Sequence, residues 1–548
     1  MFDYVVIGGG SAGCVLAGRL TEDPSVQVCL LEAGPVDDAA LIHCPAGFAL
    51  LAKLGRLNWG FQTVPQKGLG DRRGYQPRGK VLGGSSSINA MIYIRGLRED
   101  YDHWAAQGNA GWGFDDVLPY FRKAEHNARG ADGWHGSGGP LHVMDLPRPH
   151  PFSTLFVDAA RQAGHPVNAD FNGAQLEGVG IYQVTQKDGE RCSIAKAYLT
   201  PHLGRPNLRV LTGAHATRIV LEGRRAVGVE VRVDGALQTI RAEREVLLCA
   251  GTLQSPQVLQ LSGIGDGALL QKIGIETHHH LPGVGANLHD HVDVVQVVEA
   301  SHRKDLFGLS LPGAVSTLRG VREWQRHRSG ALTTNFAEAG GFIRSRAEET
   351  LPDLQFHFVI AKLVDHGRKT VLGHGYSCHV CLLQPRSRGS VQIDGPDPHA
   401  APLIDPNFLA ERDDVERLVR GFREMRRILA QPALASQGGR ERAISAQATS
   451  DAEIEAFIRG HADTIYHPVG SCRMGPGPAD VVDAQLRVHG VDALRVVDAS
   501  IMPRIVTGNT NAPVVMIAEK AADLIQAAAR GHGLAQARDR TPHDLAPH

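Results

Sequence analysis

The sequence predicts a mixed architecture, α/β plus α+β: one unit on a parallel sheet and a second on an antiparallel sheet. Three observations predict it. The chain opens on a strand, glycine turn, helix and strand within its first 32 residues. From about residue 300 to 460 the pattern changes to mostly alternating strands followed by one long helical stretch. After about residue 463 the first pattern returns, so the parallel-sheet unit is discontinuous and is completed by the C-terminus. The expected boundaries are 1–150, 190–300 and 463–530 for that unit, 151–189 and 301–462 for the other, and a flexible tail over 531–548.

Composition bounds the function. At roughly 100–200 residues per domain, 548 residues make two to four structural units. A hydrophobic content of 43% fills a core and excludes wholesale disorder. With 57 Lys plus Arg against 58 Asp plus Glu, the chain carries no electrostatic footprint for nucleic acid. Glycine is frequent, 63 residues, but without the triplet period of collagen, so it marks turns. Eight scattered cysteines form no disulfide framework and suit a reducing compartment. No leader is evident at the N-terminus, and no run of about 18 apolar residues would cross a bilayer. A cytoplasmic enzyme is expected.

The first element is the apolar run Tyr4–Ile7, as for a strand buried on both faces. Gly8-Gly9-Gly10-Ser11-Ala12-Gly13 follows, then a helix through Leu20 and a strand over Val26–Leu31 ending in Glu32. Gly8 permits the tight turn, Gly10 lets a pyrophosphate approach the backbone, and Gly13 lets helix and strand pack closely. The helix N-terminus offers free N–H groups to phosphates, and Glu32 is spaced to accept from a ribose diol. This is a dinucleotide site on a Rossmann-like unit. It leaves NAD and FAD both open, with its N-terminal position and Glu-Ala-Gly leaning towards FAD.

Further on, Arg78–Met91 is a small-residue loop in which a flat ring system can lie against the backbone. Val210–Leu248 reads as strands with turns at Glu222-Gly223 and Asp234-Gly235, and Ser255 reads as the N-cap of a helix with Pro256 first. Strands are expected at Leu354–Phe358, Cys378–Leu382 and Ser390–Ile393, with a helix over Asp413–Leu429. His467–Gly475 is a tight loop, Leu494–Ala499 a strand carrying an acid, and Gly508–Pro513 opens a helix reaching about Ile525.

Together these segments resemble the glucose–methanol–choline family of FAD oxidoreductases from residue 2 to about 525. Within it, Leu57-Asn58-Trp59, Tyr182–Lys187, Thr464–Pro468 and Gly508–Pro513 look most like bacterial alcohol dehydrogenases acting on medium-chain alcohols from alkane degradation; choline dehydrogenases come next. The resemblance implies a Rossmann-like FAD-binding domain beside a substrate-binding domain on an antiparallel sheet. It implies FAD contacts from Ser11 and Ala12 at the pyrophosphate and from Glu32 and Ala33 at the adenosine. Gly83, Ser85, Trp59, Asn89, Ala90 and Met91 are expected at the flavin, and Ala216 at the adenine. Tyr466, Asp498, Ala499, Asn511 and Pro513 are expected to complete the site. Some relatives carry a flavin-bonding His where this chain has Ile88, so FAD is expected to be held non-covalently.

Alcohol oxidation needs a base at the hydroxyl and a donor at its oxygen, with hydride leaving for the flavin. His467 is the candidate base, because imidazole titrates near working pH, and Asn511 the candidate oxygen-orienting donor. Glu338 is a candidate for holding a cationic substrate such as choline; pairing with an Arg or closing a strand is the plainer reading. His278-His279-His280 and His289-Asp290-His291 lack a third ligand at metal spacing, so no metal is expected. Cys378–Cys381 reads as strand core. Val315, Leu318, Val321 and Trp324 recur every three residues beside Arg319, Arg322, Arg326 and Arg328. That pattern fits a core-packed surface helix or a basic amphipathic helix lying on a membrane near a quinone acceptor. The expected activity is oxidation of primary alcohols to aldehydes, with choline dehydrogenase or an oxygen-using oxidase as alternatives.

Overall fold

The computed structural model describes residues 1–369 and 371–539. In the parallel sheet, Leu208–Leu211, Val28–Leu31, Phe2–Ile7, the end of Ala236–Leu248 and Leu494–Val496 lie side by side in that order. Their register brings the C-terminal ends into one row: Ile7 pairs with Leu31 and with Leu248, and Leu248 with Val496. Val5, Val6, Val28, Leu30, Leu247 and Val496 have no exposed surface, as continuous apolar strands sandwiched on both faces require. The Ala236–Leu248 strand is long enough to serve twice. Its first half forms an antiparallel meander with Arg225–Val233 and His215–Glu222. The hairpin at Asp234-Gly235 has φ of 49° and 81°, the left-handed pair that a tight two-residue turn needs.

The second sheet is antiparallel, in the order Arg440–Glu441, Val292–Glu299, Gly373–Leu382, Leu354–Val359, Ala339–Ile343, Gly178–Ile181. One face packs on the Arg412–Leu429 and Pro151–Gln162 helices through Phe356, Phe358, Val380, Phe422 and Phe156. The alternation expected in these strands is present, yet the polar face is also buried: Gln355, His357 and His379 are all covered. That face lies against the first unit, where polar side chains have work to do. Val292–Glu299 and Asp463–Thr464 pair in this sheet, whereas the boundaries set at 300 and 463 assigned both segments to the other unit. Ser390–Gln392 pairs instead with Leu403–Asp405 in a separate ribbon.

Two local expectations change. The helix after Gln254 starts at Ser255, so Ser255 is not its N-cap; its hydroxyl donates to Asp498 Oδ2 at 2.6 Å. The last helix spans Asn511–Asp539, beyond the expected end near Ile525, so the expected tail begins on helix, and residues 540–548 lie outside the described residues. Among the described residues no helix is long and apolar enough to cross a membrane.

Candidate active site

A cavity of about 920 Å³ runs along the row of parallel-strand ends and under the polar face of the antiparallel sheet. Ligand sites in parallel α/β sheets form at such carboxyl ends. Gly8, Gly10, Ser11, Ala12, Glu32, Ala33, Trp59, Ser85, Asn89, Ala90, Met91, Ala216, Tyr466, His467, Asp498, Ala499 and Asn511 all line it. Gly13, Gly83 and Pro513 do not; they shape the backbone behind it. A Cβ on Gly13 would stand 1.9 Å from the Gly8 carbonyl oxygen, and Pro513 sits in the first turn of the last helix.

This end of the cavity fits a dinucleotide. The Ser11–Leu20 helix starts at Gly10 without any side-chain cap, so its first N–H groups remain for an anion. Gly84, at φ 55°, approaches so closely that a Cβ there would meet Gly10 Cα at 2.7 Å. Two chain segments thus form a wall with no side chains. Glu32 accepts from Gly9 N at 2.9 Å and Gly34 N at 2.7 Å. Burial pushes its carboxyl up to about 7. Asn89 Oδ1 accepts from Met91 N and Arg191 Nη1, leaving its amide N–H groups for a ligand. Asp498 accepts from Gly251 N and Ser500 N, tying two strand-end turns together. Trp59 packs against His215, next to Ala216.

The other end is built around His467. Tyr466, at φ 76°, takes the left-handed conformation that a bulky residue rarely adopts. Its N–H donates to Thr464 Oγ1 and its carbonyl accepts from Arg78 Nη2 at 2.8 Å. Asp290 Oδ1 accepts from His467 N at 2.9 Å while Oδ2 accepts from Thr464. The imidazole is thereby fixed at its root. Its Nε2 faces the Nδ2 amide donor of Asn509 at 3.1 Å, and its Nδ1 faces Nδ1 of His291 at 3.1 Å. Gln355 Nε2 donates to Asn509 Oδ1, which fixes the amide with its NH2 towards His467. Since an amide N–H can only donate, Nε2 carries the lone pair and the proton sits on Nδ1. Burial, reinforced by His291, His357 and Arg78, holds the His467 pKa well below 6.5. The ring is neutral, with its basic nitrogen at the cavity.

Asn511 lines the same cavity as His467, and its Oδ1 accepts from Ser11 Oγ at 2.9 Å, at the cofactor end. The amide that faces His467 directly is that of Asn509. Glu338 does not line this cavity; it stands at the start of the Ala339–Ile343 strand, as the plainer of its two readings has it. Its carboxylate is occupied by His150 N at 2.6 Å, Ser153 Oγ at 2.7 Å and Thr334 Oγ1 at 2.6 Å. Asp290, His291, Gln355 and Asn509 were not singled out as site residues by sequence reasoning. Beyond His467 the cavity becomes apolar, lined by Phe48, Leu51, Phe307, Leu332, Phe336 and Val359. Residues 46–51 thus contribute a continuous piece of this wall.

A family model described as GMC oxidoreductase matches residues 2–293, and its C-terminal counterpart matches 385–518. The chain belongs to the GMC oxidoreductase family. Like the family, it is an FAD-binding oxidoreductase acting on CH–OH donors. It is 49% identical over 528 residues to an alcohol dehydrogenase [acceptor] of Pseudomonas putida, covering 96% of each chain. It is 47% identical over 539 residues to a mitochondrial choline dehydrogenase of Mus musculus, covering 96% of this chain and 89% of that one. Among solved structures, pyridoxine 4-oxidase from Mesorbium loti superposes with a TM-score of 0.85 at 34% identity, over 95% of this chain and 99% of that one.

Proposed function

We propose that this GMC oxidoreductase oxidises primary, medium-chain aliphatic alcohols to aldehydes and passes the electrons to a quinone-type acceptor. The observation that carries the reading is a neutral imidazole, its basic nitrogen beside an amide donor, between a glycine-walled cradle and an apolar lobe. When bound, FAD supplies the hydride acceptor. The chain's own residues do the rest. The substrate hydroxyl takes the place of the Asn509 amide at His467 Nε2 and its oxygen accepts from the freed Asn509 Nδ2, so proton removal and alkoxide stabilisation fall to adjacent groups. His291 accepts from Nδ1 and keeps the tautomer correct while Asp290 and Tyr466 hold the turn. The apolar lobe takes the alkyl chain and excludes water. Glu32, Ser11, Ala12, Asn89 and Asp498 hold the cofactor, with Asn511 beside Ser11. Ile88, which lines the cavity, has no group able to bond it, so FAD is held non-covalently and is released by acid.

The unit boundary near 300 is best moved to about residue 291, before the first strand of the antiparallel sheet. The protein works on the cytoplasmic side, peripheral to the inner face of the membrane. The P. putida relative's name, with its unspecified acceptor, supports the dehydrogenase reading over an oxidase. The test is anaerobic reduction of the bound flavin by alcohols from ethanol to decanol, and by choline. Octanol and its neighbours reduce it fastest. Reduction by choline alone would replace the alcohol reading with the choline one, and peroxide release under air would make the enzyme an oxidase.

A further inference from the structure

The Leu311–His327 helix does not pack as an amphipathic helix on a core does. It touches the body of the protein through Gly320, where a Cβ would stand 3.1 Å from Leu332, and through Trp324. Trp324 is 6% exposed and donates Nε1 to the Gly189 carbonyl. Its aliphatic side chains point the other way: Leu311 is 87% and Leu318 70% exposed, with Val315 beside them. They are not isolated. Leu309 bridges to Leu372, which is 76% exposed, and Leu50 and Leu54 stand out from the Gly47–Leu54 helix. That helix packs beside residues 365–367. The same three segments supply the outer wall of the cavity through Leu50, Leu309, Val321, Lys369 and Val371. An exposed apolar rim around a cavity mouth marks an interaction surface.

Charge decides the partner. Arg319, Arg322 and Arg326 are exposed on the same helix, and among the described residues none has a carboxylate partner. Glu323 is the helix's one acidic residue. A second copy meeting this face symmetrically would set arginines against arginines. An anionic lipid surface attracts them while its acyl region accepts the leucines. We infer that this rim is a membrane-docking surface which seats the cavity mouth on an anionic bilayer. Apolar alcohol and quinone then enter from the lipid. The docking gives a surface to the peripheral placement proposed above and rests on that reading; the entry of alcohol and quinone rests on the alcohol reading.

The FAD-loaded enzyme is sedimented with vesicles of phosphatidylglycerol and phosphatidylcholine, and with phosphatidylcholine alone. The protein pellets with the anionic vesicles and is released by salt. Leu311→Ser/Leu318→Ser and Arg319→Glu/Arg322→Glu each lower the bound fraction about tenfold. Neither pair lines the cavity, so both variants keep their FAD and the wild-type rate on butan-1-ol with a soluble dye. Wild-type protein left in the supernatant, or variants that pellet like it, would overturn docking. A wild-type dimer that L311S/L318S dissociates would overturn it too, in favour of a second copy. Absence of butan-1-ol oxidation in the wild type would count against the alcohol reading alone.

Discussion

The two ends of the cavity are held by different means. The cofactor end is mostly backbone: Gly8, Gly10 and Gly84 leave a wall with no side chains, behind which Gly13 lets helix and strand meet. The base end is side chains throughout, with Asp290, His291 and Asn509 touching His467 and Gln355 holding Asn509. A backbone cradle is insensitive to most substitutions around it but cannot admit a Cβ. A side-chain cluster keeps its fold when one member is cut back and loses its chemistry instead. Substitution at one end should therefore change cofactor retention, and at the other the rate.

The sharpest break of that contrast is His467→Ala. Reduction of the bound flavin by substrate should slow by about 10²–10⁴-fold with FAD content unchanged. In the wild type that rate should be flat above about pH 6.5, because burial keeps the imidazole neutral there, and should fall only as pH drops through the depressed pKa. A kinetic limb above neutrality would remove His467 from the role of base. Next comes the pair of asparagines. Asn509→Ala should cost about 10²-fold in reduction rate at full FAD occupancy. Asn511→Ala should weaken FAD retention about fivefold, as for one lost hydrogen bond, with the rate on loaded enzyme nearly intact. The reverse result would return the oxygen-orienting role to Asn511. The smallest effect on activity belongs to Glu338→Gln, which should leave rates on octanol and choline within twofold. It should nonetheless lower unfolding stability by about 1–3 kcal/mol, measured in denaturant, since two buried hydroxyls and the part-buried His150 N–H lose a carboxylate.

The cradle was legible because glycine spacing encodes backbone directly: a turn at positive φ and close approaches fix which positions lack a Cβ. The place of the proposed base at the cavity was legible from its His-Pro motif. Its neighbours were not, because each comes from a distant stretch of chain. His291 lies 176 residues from His467, and the His289–His291 run carries no local sign that its partner is another histidine. In Gly508-Asn509-Thr510-Asn511 the choice between two asparagines depends on where the helix starts. It starts at Asn511, which leaves Asn509 on the preceding segment facing the base. The Leu311–His327 helix shows the same limit. A three-residue period locates a stripe but cannot say whether it faces the core or solvent, and Gly320 and Trp324 turned it outward.

The discontinuity of the parallel-sheet unit also orders events on the ribosome. The glycine turn is made long before its sheet is complete: its strand can pair early with Val28–Leu31 but gains its second neighbour only when Glu245–Leu248 has been synthesised. Asp498 and the Asn511 end of the last helix arrive some 250 residues later still. Until then the nascent chain exposes Val5, Val6 and Ile7 and half a binding site, a long-range closure of the slow kind. Stable FAD retention should therefore await the last helix, and a chain truncated before residue 511 should accumulate as an aggregation-prone species unable to retain FAD.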